Sequence, residues 1–164
     1  IYETKSPAVR LEYIRKGWRI NAFEAYFSMS LVERKYLDSL KWIDEKQAII
    51  LKDVEFETRL YGTYDTYCPK SKQGYEDAKQ NYEGFIALTV PPVYGEYHAT
   101  YVIIYESLYK YLEEIYKSCS GYEGSRQDHV NLAKKYLSNA TSNLEKIDEM
   151  TKKLDEKYKS DMLS

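Results

Sequence analysis

The residues with the most chemistry to offer in this chain are two cysteines, Cys68 and Cys119, and two histidines, His98 and His129. Neither histidine stands in metal-site spacing. A di-iron helical bundle places a Glu three positions before each ligating His, and here those positions hold Gly95 and Arg126. HExxH, paired CxxC, phosphate-loop and G-x-S-x-G patterns do not occur either. The expectation is a chain that is not an enzyme, with no catalytic residue, no metal and no cofactor, and with both histidines in structural roles. Asp128 directly precedes His129, but adjacent helical residues point to different faces, and a capping role accounts for Asp128.

Cys68 and Cys119 each fall at the expected end of a long helix, and an up-down-up chain brings those two ends to the same side. A disulfide between them is therefore geometrically reasonable. It would close a loop of about 50 residues, worth ~4 kcal/mol by chain entropy, and would imply an oxidising compartment. The alternative is two unrelated thiols, with Cys119 a small core residue and Cys68 in a loop.

Tyrosine is the compositional anomaly, with 19 Tyr beside four Phe. A Tyr at the edge of a thin bundle packs its ring while its hydroxyl stays wet or hydrogen-bonded, which suits Tyr36, Tyr97, Tyr101 and Tyr105 on core stripes. A surface Tyr instead gives rigid contact area at low entropic cost. Tyr61, Tyr64, Tyr67 and Tyr122 gather at the end where the cysteines would meet, several in connections. They are the candidate binding residues.

The elements that must position these groups are helices. Ser6-Pro7 opens a short N-terminal helix with Leu11, Ile14 and Trp18 on one face, and Gly17 and Asn21 mark a break. From Ala22 to about Tyr64, apolar residues recur at helical spacing through Ala25, Met29, Val32, Tyr36, Leu40, Ile43, Ile50, Val54 and Tyr61. Gln47 and Glu57 interrupt that stripe, so it should be wet or face something polar there. A continuous helix of ~40 residues would run ~60 Å, so a bend or a projecting end is expected. Cys68-Pro69-Lys70-Ser71 reads as its end, and a shorter helix follows through Tyr75, Ala78, Tyr82, Phe85 and Ile86.

Val90-Pro91-Pro92 is a hard stop, and Pro92 starts the next helix, with Tyr94, Tyr97, Tyr101, Tyr105, Leu108, Leu112, Ile115 and Cys119 on its stripe. After Ser120-Gly121 and a turn containing Gly124, Ser125 to Asp128 reads as a capping box. Val130, Ala133, Leu137, Ala140, Leu144, Ile147, Leu154 and Tyr158 mark the last long helix. The fold class expected is all-α: an up-and-down antiparallel bundle of four long helices plus the short N-terminal one, in a single domain over residues 1–164.

In 164 residues, 24 basic and 26 acidic side chains give a formal charge of -2, and no Lys/Arg block offers a footprint for phosphates. Nucleic acid is not an expected partner. No segment approaches the ~20 consecutive apolar residues of a membrane span. The sequence opens at Ile1 without an initiator Met, as expected where an export signal or other upstream segment has been removed.

Pro91-Pro92, His98 early in a helix of the form Tyr-x-x-x-Tyr-x-x-Leu, a Gly-containing turn, and Ala133, Ala140 and Leu144 on a closing helix form a further pattern. From Val90 to Leu154 it resembles extracytoplasmic helical-bundle domains of Gram-positive bacterial lipoproteins of unknown function. The resemblance implies an exported, cell-surface or secreted location and carries over no catalytic residue. The function expected is binding of a protein or small ligand at the cell surface. The alternative is an intracellular coiled-coil scaffold that forms a homodimer through the long stripe from Ala25 to Tyr61.

Overall fold

The computed structural model describes the backbone over residues 30–61, 64–120 and 124–163, and side chains over 30–52, 71–119, 124–154 and 156–157. The helix expected from Ser6-Pro7 and the break near Gly17 and Asn21 lie outside the described residues, as do the side chains of Val54, Glu57 and Tyr158. Among the described residues, four helices form an all-α bundle: α1 (Leu31–Tyr61), α2 (Tyr64–Ile86), α3 (Gly95–Ser120) and α4 (Arg126–Leu163).

α1, α3 and α4 start where the sequence offers a cap or a compatible proline. Ser30 Oγ accepts from the Glu33 N–H at 3.3 Å and the Ser30 carbonyl from the Arg34 N–H at 3.0 Å, so α1 begins at Leu31. The helical run expected to continue from Ala22 is interrupted at this cap. Pro92 opens a single 3-10 turn, Pro92–Tyr94, that leads into α3, as its missing N–H permits. Ser125 Oγ accepts from the Asp128 N–H at 3.0 Å and starts α4. Gly124 supplies the one left-handed backbone among the described residues, at φ 95°. A Cβ there would lie 3.3 Å from His129 Nε2.

One boundary differs from the sequence expectation. The junction between the first two helices falls between Tyr61 and Tyr64 rather than at Cys68 to Ser71. Pro69 sits in the second turn of α2, where it forfeits a single backbone bond to the carbonyl four residues earlier. A proline this close to a helix start perturbs the ladder without ending it.

Consecutive helices pack on one another, and their register is antiparallel. Ring pairs Tyr75/Tyr116, Tyr82/Tyr109 and Phe85/Tyr105, at 5.6, 5.2 and 4.8 Å, step down α2 and up α3 in opposite directions. Between α3 and α4 the pairs Glu114/His129, Ser107/Asn139 and Thr100/Met150 do the same. α3 is the hub. It packs against α2 and α4 and reaches α1 through side chains, and Tyr97, Tyr101, Ile104, Tyr105, Leu108 and Leu112 on it are all buried. Burial of such side chains contributes roughly 1.5 to 3 kcal/mol each, so this helix carries much of the core.

Two members of the expected stripes face outward instead. Val32 on α1 and Ile86 on α2 are exposed, while Leu37, Leu51 and Ile104, absent from those stripes, are in the core.

Candidate functional site

Beneath the surface, where α1 crosses α3, the bundle holds a continuous polar and aromatic network. Asp44, buried on α1, accepts a hydrogen bond from the Tyr105 hydroxyl and a longer one, 3.4 Å, from Tyr101. Tyr97 is hydrogen-bonded to both Tyr101 and Thr151, so the network reaches α4. One turn away, the Tyr36 hydroxyl lies 2.9 Å from His98 Nδ1, and His98 stacks on Phe85 at 4.1 Å between ring centroids. The rings of Tyr94, Tyr97, Tyr101 and Tyr105 follow one another at 5.9, 5.1 and 5.4 Å.

The electrostatics follow from burial. Loss of water raises the Tyr36, Tyr97 and Tyr101 hydroxyls above the ordinary tyrosine range, and the Asp44 carboxylate adds to the effect on each. All three stay protonated, and Tyr101 donates to Asp44. Burial lowers His98 below its ordinary 6.5, which keeps the imidazole neutral. These groups spend their hydrogen-bonding capacity on one another.

A second buried pair closes the other end of α3. His129 Nδ1 and Glu114 Oε2 are 2.6 Å apart, and Arg126 Nε donates to the Ser118 carbonyl at 3.3 Å. These contacts tie the start of α4 to the end of α3. Among the described residues, no group of three or more His, Cys, Asp or Glu side chains could hold a metal ion.

The surface along α1 and α2 is built differently. Two hollows lie along the same face of α1: one of about 620 Å³ against α2, and one of about 300 Å³ against Leu88 and Thr89 just past the end of α2. α1 contributes Val32, Lys35, Ser39, Trp42, Lys46 and Ile49 to them. These positions advance by three or four residues at each step, so they form one face of the helix. Trp42 is 61% exposed and Ile49 59%, far more than large apolar side chains usually are. Opposite them, Gly84 leaves space: a Cβ added there would meet nothing within 4 Å. On the floor, Asn81 Nδ2 donates to the Ile43 carbonyl at 3.0 Å and to Gln47 Oε1 at 3.3 Å. The polar surroundings expected for Gln47 are therefore this amide pair, and Gln47 is buried rather than wet, with Nε2 lacking a partner. A third hollow, of about 220 Å³ between α3 and α4, is lined by Tyr97, Met150 and Lys153 among others.

The candidate residues named from sequence fall mostly beyond this picture. Tyr61, Tyr64, Tyr67, Tyr122 and the Cys68 side chain lie outside the described side chains. Cys119 is buried at the end of α3. Sequence reasoning missed Asp44 and Glu114, because an acid on a charged helix reads as part of a solvated face. It also missed the Trp42/Ile49 face. A signal for that face existed, since Trp42 and Ile49 stand seven apart and ten residues separate Val32 from Trp42.

Comparisons with protein-family models, with curated proteins and with solved structures gave no match. Among the described residues, no helix is long and apolar enough to cross a membrane.

Proposed function

We propose that this chain is a non-enzymatic helical-bundle binding domain that works outside the cytoplasm, at the cell surface, and engages a protein partner along the α1/α2 seam. The observation that carries this reading is the pair Trp42 and Ile49, more than half exposed beside the open space over Gly84. Exposed apolar residues that line a groove mark interaction surfaces more often than isolated ones do. The absence of catalysis is supported by where the titratable groups sit: Asp44, His98, Glu114 and His129 are buried against side-chain partners and line none of the three hollows.

The exported location rests on the sequence resemblance and on a Cys68–Cys119 bridge. The α2/α3 register supports that bridge: Tyr75 meets Tyr116 and Tyr82 meets Tyr109, so the α2 backbone before Tyr75 runs toward the end of α3 that carries Cys119. Mass spectrometry of unreduced protein tests it, and two alkylatable thiols would remove this support.

The binding site is tested by placing a photo-crosslinking amino acid at Ile49 in cells producing the chain, with Leu132 on α4 as the exposed control. Adducts that form at Ile49 and not at Leu132 are the expected result. Equal labelling at both sites, or none at Ile49, would sink the proposal.

A further inference from the structure

From the same seam we infer that its occupant is an acidic amphipathic helix of another protein. This rests on the binding-domain reading above and adds the chemistry of the partner.

The shape of the site sets the first requirement. From Val32 to Ile49 the α1 face runs about five turns, roughly 26 Å at 1.5 Å per residue. Ile43, Ile50, Gly84 and Leu88 line it as well. A hollow between α1 and α2, followed along the same α1 face by a second one bounded by Leu88 and Thr89 just past the end of α2, fits a helix laid along α1 by its own apolar stripe. A compact small molecule would leave most of that length uncovered.

Charge sets the second requirement. Among the described residues, three charged side chains line the two hollows: Lys35, Lys46 and Asp77. Asp77 already accepts a hydrogen bond from Gln73 Nε2 at 2.8 Å. Lys46 lies over the Trp42 ring at 4.9 Å from the centroid, a contact that leaves the ammonium open to a carboxylate, and Lys35 is exposed one hollow further along. Both lysines lie on this α1 face, among its apolar residues, in a chain whose net charge is -2. A helix with Glu or Asp flanking its apolar stripe would meet both ammonium groups, and one flanked by Lys would be repelled by them.

The self-association alternative fits less well. A second copy of α1 laid antiparallel and centred on Lys46 would set Lys46 against its own symmetry mate beside Trp42 and Ile49, a like-charge contact at the centre of the interface.

The test uses the full chain and two synthetic 18-residue helical peptides that share one leucine stripe, one flanked by Glu and the other by Lys. Binding is read by fluorescence anisotropy of labelled peptide. The Glu-flanked peptide is expected to bind about tenfold tighter at low salt, with the gap closing as salt rises. Lys35→Glu/Lys46→Glu, at two exposed positions, should reverse that order. Gly84→Trp should weaken both peptides by filling the larger hollow, and circular dichroism should show each variant as helical as the parent. Equal binding of the two peptides, or binding of neither, overturns the inference. So does a concentration-dependent dimer in sedimentation velocity that Trp42→Ala abolishes. Selective crosslinking at Ile49 without a charge preference among peptides would leave the binding-domain reading standing and remove this one.

Discussion

α3 and the outer face of α1 both break the simple rule of apolar inside and polar outside, and they do so in opposite directions. Along α3, polar groups are buried but matched: Asp44 with Tyr101 and Tyr105, His98 with Tyr36, Glu114 with His129. Along the seam, apolar groups are placed but not covered, as at Trp42 and Ile49. A buried polar group is tolerated only when its partner is present, so the first region is built for a single structure. An uncovered apolar group costs the folded state little while it waits, so the second is free to serve contact.

That contrast is exposed most sharply by truncation. Phe85→Ala removes a ring packed against His98, Tyr101 and Tyr105 and should cost about 3 to 5 kcal/mol in urea unfolding. Asp44→Ala should come next, at about 3 kcal/mol, because it strands two buried hydroxyl donors. The triple variant Asp44→Leu/Tyr101→Phe/Tyr105→Phe should lose less than Asp44→Ala alone, since removing all the partners leaves nothing unsatisfied. The reverse order would show that Asp44 matters for shape and not for its hydrogen bonds.

His98 should give a pH signature. Its folded value lies below 6.5, so the unfolded chain takes up the proton first as pH falls. The stability linked to His98 is complete above 6.5 and is lost as pH drops through the folded value. Urea midpoints from about pH 7 to about pH 5 should therefore decline less steeply in His98→Gln than in the parent.

Seam substitutions should do much less to stability. Gly84→Ala, in the last turns of α2 with open space above it, should stabilise by about 0.5 to 1 kcal/mol through helix propensity and a less flexible unfolded chain. Trp42→Ala should change stability by within about 0.5 kcal/mol, measured by the same urea titration. A large loss at Trp42 would place that ring in the core energetics and erase the distinction between the two regions.

How far each region can be read from sequence follows from the same physics. The stripe Tyr94, Tyr97, Tyr101, Tyr105, Leu108 and Leu112 is legible because α3 is covered on several sides, and complete burial imposes a clean helical period. Four helices and their antiparallel order follow from such stripes and from the prolines at Pro91-Pro92. Pro69 misled because a proline early in a helix and one after its end look alike without the backbone. Asp44 follows Leu40 by four residues and precedes Ala48 by four, so its place on the core stripe was available. Its pairing was not, since the acceptor is on α1 and its donors lie 57 and 61 residues away on α3. The exposed α1 face was hidden by the stronger core stripe of the same helix, from which Trp42 and Ile49 simply drop out.

The order in which the helices pack has a bearing on opening. Among the described residues, α4 has the most extensive contact with α3, α2 less, and the α1/α2 contact is the smallest of the three consecutive ones. The α3/α4 hairpin is therefore the part expected to hold longest when the fold loosens, and α1 the element that detaches first. A ligand lying across the α1/α2 seam would bridge the weakest joint of the bundle. Slowed amide exchange along α1 would then report its arrival, even for a partner that leaves the average structure unchanged.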